Sequence, residues 1–259
     1  MKDFSKVKGT LKGWTEKSAI WYENASEYTG YHDRLSQYLL RFLKPEDRCC
    51  EIACGTGILA RKTAPYVSAY TANDADPEAV SFLKRRLQEA GTPDIEVLEG
   101  EWQEVLAGRK YDVILTSYYG VPVKFWPLLT SLAGRSFIVI CPRNERWRIL
   151  RNREEASDDA PEKTISKLDT PGNITYFLRS QGIPFETLPL DLEFGQIFVD
   201  REEAREYIQH YYQLEGSDAE QFLEEKTVWN NGKLYFPKKK EIEVIVADLS
   251  GTQSPTGTL

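Results

Sequence analysis

A carboxylate, a glycine turn and a second carboxylate follow one another in the order a nucleoside-binding crevice requires. Cys50-Glu51-Ile52-Ala53-Cys54-Gly55-Thr56-Gly57 reads as a strand ending in a charged residue and a glycine turn opening a helix; Asp74 follows Gly57 by seventeen residues, at the close of the next strand. Gly55 and Gly57 let the backbone approach a ligand closely, because a Cβ at either place would obstruct the turn or the ligand. Asp74 offers a carboxylate where a ribose offers two hydroxyls. Glu51 stands on a strand that should be buried, where an unpaired carboxylate is costly, so it needs a partner such as the ammonium group of an amino-acid-bearing ligand. Glu101-Trp102 comes directly after Gly100 and the third strand. There a carboxylate or backbone carbonyl can meet an adenine amino group while the indole covers the ring face.

Other reactive side chains are fewer. The chain has two histidines, and histidine is the readiest base near neutral pH for an oxygen or carbon nucleophile. His32 adjoins an aromatic N-terminal segment and could face the pocket; His210, beside Tyr211 and Tyr212, lies on a helix that could act as a lid. A structural or surface place is the alternative for both. Cys49, Cys50, Cys54 and Cys141 show neither the paired spacing of a zinc site nor the dispersion of a disulfide framework, so they read as small buried thiols and no metal is expected. Arg143, Arg146, Arg148, Arg151 and Arg153 could grip a carboxylate or phosphate, or form a solvated helix face.

The elements that must position these residues alternate. Strands are predicted at 48–53, 69–73, 94–99, 111–117 and 135–141, with helices at about 57–64, 77–90, 102–107 and 123–132 between them. Such alternation implies a parallel sheet with helices on both faces and ligands outside the carboxyl ends of the strands. Two helices precede the first strand, the second carrying Leu35, Leu39, Phe42 and Leu43 on one face and stopping at Pro45. Beyond Pro142 an arginine-rich and then acidic insertion runs to Asp169. A helix then begins at Thr170-Pro171-Gly172 and continues to about Gln181, followed by an extended segment at 185–199. Asp200 is the expected N-cap of a helix carrying Ala204, Tyr207, Ile208 and Tyr211. A helix near 218–226, a turn at Asn230-Asn231-Gly232 and a strand at 242–246 complete the pattern.

With 259 residues, 41% hydrophobic and 28% charged, the composition is that of an ordinary soluble protein. No apolar run approaches the roughly 20 residues needed to cross a bilayer, and no signal-peptide pattern precedes the first amphipathic segment, so a cytoplasmic location and no membrane partner are expected. A net charge of −7 disfavours a nucleic-acid partner unless a local basic patch overrides it. Nothing in the sequence specifies an oligomeric state.

The ordered set Glu51-Ile52-Ala53-Cys54-Gly55-Thr56-Gly57, Asp74 and Gly100-Glu101-Trp102 resembles the class I S-adenosylmethionine-dependent methyltransferases. Trp21-Tyr22 and Ala25 through Tyr28 resemble the aromatic-alanine-tyrosine segment of their small-molecule members, in which an N-terminal helix covers the cofactor. The resemblance spans roughly residues 15–141. It implies an α/β fold with a seven-stranded, mostly parallel Rossmann-like sheet, helices on both faces, an N-terminal helical cover and inserted cap segments. The expected organisation is a flexible N-terminus at 1–13, one methyltransferase domain at 14–249 with its cover at 14–46 and cap insertions at 143–170 and 200–236, and a flexible tail at 250–259.

The resemblance also implies roles. Glu51 and the Ala53–Gly57 backbone, with Gly55 and Gly57, would lie against the methionine end of S-adenosylmethionine. Asp74 would accept the ribose hydroxyls with help from Asp76, Glu101 and Trp102 would flank adenine, and Tyr28, from the cover, would also contact the cofactor. Ser117 lies where the family meets the sulfonium. Tyr118 beside it and His32 are the candidate catalytic residues. Ala53 replaces the middle glycine of the family's ExGCGxG pattern, and its methyl group is expected to shift the methionine tail without abolishing binding. The segment Thr116-Ser117-Tyr118-Tyr119-Gly120 lacks the (Asp/Asn)-Pro-Pro-aromatic motif of amino-methylating enzymes, which with the acidic balance points to a small-molecule acceptor. The alternatives are a protein or RNA methyltransferase, a non-catalytic cofactor-binding regulator, and an NAD-dependent oxidoreductase using the same glycine turn.

Overall fold

The computed structural model describes residues 4, 13–91, 95–143 and 165–251. The arginine and acidic run of the expected insertion from Asn144 onward, most of the N-terminal 1–13 and the tail beyond Gly251 lie outside the described residues. The chain divides into two compact units, one ending at His32 and resuming over Leu192–Lys239, the other comprising Asp33–Asp191 and the residues from Lys240 onward.

In chain order the helices and strands begin with α1 (Glu16–Thr29), α2 (Tyr31–Leu39), β1 (Arg48–Ile52), α3 (Ile58–Thr63), β2 (Ala69–Asp74), α4 (Pro77–Ala90), β3 (Ile95–Glu99), α5 (Trp102–Val105) and β4 (Tyr111–Ser117). They continue with β5 (Val121–Pro122), α6 (Trp126–Leu132), β6 (Ala133–Pro142), β7 (Lys167–Leu168), α7 (Pro171–Ser180), β8 (Phe185–Glu193) and β9 (Gln196–Phe198). The remaining elements are α8 (Arg201–Tyr212), α9 (Gly216–Lys226), β10 (Val228–Asn230), β11 (Lys233–Phe236) and β12 (Lys239–Asp248).

The second unit is built on a seven-stranded sheet in the order β3-β2-β1-β4-β6-β12-β8. The pairs from β3 through β6 are parallel, and β12 runs antiparallel to β6. The expected mostly parallel α/β sheet is therefore present. Chain order runs outward from β1 to β2 and β3, then returns to β4 on the other side of β1. This reversal puts the switch point at the carboxyl ends of β1 and β4, the usual ligand position in such sheets. Strand periodicity sends Cys50, Ile52 and Ile114 into one apolar cluster with Trp102, Leu106, Leu129, Ile174 and Leu178 from the covering helices. Glu51 therefore points to the opposite face. Short β5 and β7 pair antiparallel.

Helix boundaries follow local chemistry. Asp76 caps α4 by accepting the amide hydrogens of Glu78 and Ala79, with Pro77 at the first turn. Gly91, at φ +56, closes the same helix. The helix expected over 123–132 begins instead as a single 3-10 turn, Val123–Phe125, before α6. Pro127 explains the delayed start: it lacks an amide hydrogen and sits in the first turn of α6, where that donor is not needed.

In the first unit, α1 begins with a reciprocal capping box between Thr15 and Ser18. Trp21, Phe198, Tyr207, Ile208, Phe222, Leu223, Leu234 and Phe236 form its core. The extended stretch expected at 185–199 is two strands, β8 and β9, and β9 joins β11 and β10 in a three-stranded antiparallel sheet. Asn231 and Gly232 both take positive φ, +49 and +76, as a tight hairpin turn demands.

Candidate functional site

The turn after β1 is held in an unusual backbone conformation. Ala53, Gly55 and Gly57 all adopt left-handed φ, at +56, +57 and +66. A Cβ on Gly57 would lie 2.5 Å from the Leu83 methyl carbons, so this glycine is required by packing of α4 as well as by its φ. Ala53 takes the same conformation with a side chain, at a cost of about 1 kcal/mol. The amide of Cys54 donates to the Asn73 carbonyl at 2.9 Å, and the amide of Gly55 donates to Asp74 Oδ2 at 2.6 Å. Asp76 donates its amide to Asp74 Oδ1 at 2.9 Å. A carboxylate has about four acceptor positions, so Asp74 keeps capacity for further donors.

The third strand tip is stitched to the same place. Asn73 Nδ2 donates to the carbonyls of Leu98 and Gly100, and the Gly100 amide donates to the Asp74 carbonyl. Asn73 was not singled out by sequence reasoning; an amide side chain buried inside a predicted strand was the available signal. Glu101, exposed, precedes α5 and accepts from Gln103. Trp102 is 2% exposed within the apolar cluster, with its indole N–H donated to the Tyr119 hydroxyl at 3.1 Å. Through that bond the tips of β3 and β4 are joined.

Glu51 is 1% exposed. Its neighbours in register are Ala72 on β2 and Leu115 on β4. The Tyr70 hydroxyl donates to Oε2 at 3.2 Å, a partner the sequence did not reveal. Burial pushes the Glu51 carboxyl up to about 8, the Tyr70 bond opposes this, and the charge of Asp74 adds to it. Asp74 is also raised by burial, against the lowering effect of the amides donating to it. The hydroxyls of Thr56 and Thr116 are buried without a hydrogen-bond partner among the described residues. The cysteines are unpaired thiols, with Cys49 and Cys141 pushed up to about 12 by burial, which keeps them protonated and unreactive.

Ser117 ends β4 and is half-buried, and Tyr118 follows at φ +57 with its amide donated to the Ile140 carbonyl at 2.8 Å. The Lys240 ammonium lies 4.5 Å from the Tyr118 ring centroid. A left-handed backbone on a bulky residue is a marked outlier, sustained only when its surroundings fix it.

Tyr28 and His32 belong to the first unit. The Tyr28 hydroxyl accepts from Asn230 Nδ2 at 2.9 Å, and its ring stacks at a tilt on Tyr235. His32 is buried, with Nδ1 2.6 Å from the Ser26 hydroxyl and Nε2 3.4 Å from the Tyr22 hydroxyl. Tyr31 and Phe194 set ring edges against it.

Residues 50–130, which carry the turn and the tips of β1 through β4, match the family described as a methyltransferase domain. These residues carry a methyltransferase domain. The methyltransferase is 26% identical over 214 residues to the ribosomal RNA small subunit methyltransferase A of Malacoplasma penetrans, covering 78% of this chain and 73% of that one. Its fold is similar to that of the YcgJ protein from Bacillus subtilis, with a TM-score of 0.52 at 13% identity over 84% of this chain and 98% of that one. A precorrin-6y C5,15-methyltransferase from Geobacter metallireducens GS-15 gives a TM-score of 0.51 at 10% identity, over 83% and 86%.

A methyltransferase domain implies a methyl donor, and the residues present suit S-adenosylmethionine. A buried acid with one hydroxyl donor calls for a cation, which a methionyl ammonium supplies. Asp74 retains acceptor capacity for ribose hydroxyls. No helix among the described residues is long and apolar enough to cross a membrane.

Proposed function

We propose that the methyltransferase acts on a small-molecule acceptor. In this reading Glu51, Ala53, Gly55 and Gly57 hold the methionyl end of the cofactor and Asp74 with Asp76 the ribose. Glu101 and Trp102 flank the base, and Ser117 and Tyr118 stand at the acceptor side. The observation that carries it is Tyr118: a strained aromatic residue placed directly after β4, with a cation on its ring. Such strain concentrates at functional sites. The absence of the (Asp/Asn)-Pro-Pro-aromatic sequence at Thr116–Gly120 and the net charge of −7 support a small acceptor over a polyanion.

S-adenosylmethionine supplies an electrophilic methyl group on a sulfonium. The protein's contribution is positional: its residues hold the acceptor's nucleophile in line, at a near-attack distance of about 3–3.5 Å. In this reading the Tyr118 hydroxyl accepts a hydrogen bond from an oxygen nucleophile and orients it; for a neutral amine, proton removal is secondary. The test is incubation with labelled S-adenosylmethionine and a fractionated small-molecule extract beside total RNA. Label in a low-molecular-weight product supports the reading.

The similarity to a ribosomal RNA methyltransferase favours a second reading, in which the acceptor is RNA. Label in RNA, with binding that weakens steeply as salt rises, would establish it in place of the first.

A further inference from the structure

We propose that filling the crevice expels a proton: Glu51 is protonated in the ligand-free protein and ionises when a ligand's ammonium group settles against it. Cofactor capture then strengthens as pH rises. The inference rests on the reading that the methionyl end of the cofactor lies at Glu51.

The geometry makes the uncharged form the stable one when no ligand cation is at hand. Glu51 lies within β1, 1% exposed, between Ala72 and Leu115, neither of which can bond to it. The Tyr70 hydroxyl is its hydrogen-bond donor, and one neutral donor does not replace the hydration of a carboxylate. The ionisable groups acting on it or under its influence are Tyr70 and Asp74 from β2, Cys50 beside it on β1 and Cys54 in the turn. None of them is a cation, and Asp74 is an acid. Asp74 itself receives two backbone amides, so the pair is asymmetric: one acid is solvated by the protein and the other is not.

An ammonium in contact with Glu51 reverses this balance, because an opposite charge within a few ångströms favours ionisation. The proton passes from the carboxyl to the buffer, and no other bond changes. Glu51 in the ligand-free protein ionises at about 8. Below that pH, linkage requires affinity to rise by about tenfold per pH unit for each proton released, and to level off above it.

The test is calorimetric titration of the full chain with S-adenosylhomocysteine near neutral pH, in two buffers of different ionisation enthalpy. The expected result is release of close to one proton per ligand, with the dissociation constant falling about tenfold per pH unit below the plateau. Glu51→Gln, which cannot ionise, should bind without that release, and a melting curve confirms that it folds. Tyr70→Phe, which loses the hydroxyl donor, should move the plateau to higher pH. Binding by the wild-type protein without proton release overturns the proposal, as does equal release by Glu51→Gln. Absence of any binding by the folded wild-type protein is a separate result, which removes the cofactor reading and this inference with it.

Discussion

The amide of Gly55 donates to Asp74 Oδ2 across 2.6 Å, fastening the turn after β1 to the tip of β2. One carboxylate thus shapes the turn and remains available to a ligand. Asp74→Ala should raise the dissociation constant for S-adenosylhomocysteine by about tenfold or more, equivalent to about 1.4 kcal/mol. Titration calorimetry checks this, and unchanged affinity would refute the assignment.

Glu51 makes stability fall as pH rises. The unfolded chain ionises it near 4.5, whereas the folded chain keeps the proton to about 8. Between these values the folded state binds more protons, so the penalty is absent below the lower value and grows toward the upper. Ligand-free Glu51→Gln should match the wild-type protein at about pH 4 and below and exceed it by several kcal/mol near pH 8. Denaturant unfolding across that range measures the gap; parallel curves would contradict it.

Ala53 and Gly57 are expected to respond in opposite directions. Ala53→Gly relieves a left-handed alanine at φ +56 and should raise stability by up to about 1 kcal/mol, or a few degrees in Tm. Gly57→Ala introduces a Cβ 2.5 Å from the Leu83 methyl carbons at φ +66 and should cost about 2 kcal/mol or more. Thermal melts of the two variants beside the wild type suffice.

Arg135 pairs with Asp47, which is 2% exposed and also accepts the Lys44 amide at 2.7 Å. Arg135 Nη2 further donates to the Phe42 carbonyl at 3.0 Å. Removing one charge strands the other, so Arg135→Leu should destabilise by about 3 kcal/mol. Arg135→Leu combined with Asp47→Leu should cost less than the sum of the two single changes, and a double-mutant cycle in urea measures the difference.

The α/β core was legible because its signals are local. Val113, Ile114 and Leu115 mark β4, Pro77 and Gly91 bracket α4, and the Gly55–Gly57 turn with Asp74 marks the crevice. What escaped depended on partners distant in sequence or on backbone angles. Tyr70 lies nineteen positions from Glu51, and Trp21 donates to Glu203 across 182. The left-handed backbone of Tyr118 has no counterpart in residue type. The hairpin of β10 and β11 had a readable sign in Asn231-Gly232 beside Leu234, Tyr235 and Phe236, yet joining it to β9 needs a pairing across more than thirty residues.

The position of β12 bears on how the polypeptide reaches this state. The strand lies between β6 and β8, although its residues follow the entire Leu192–Lys239 portion of the first unit. A nascent chain leaving the ribosome therefore carries β6 and β8 with unsatisfied edges while that intervening stretch is translated. This interval is a window for mispairing or for chaperone engagement, and the sheet closes only once residue 248 has emerged.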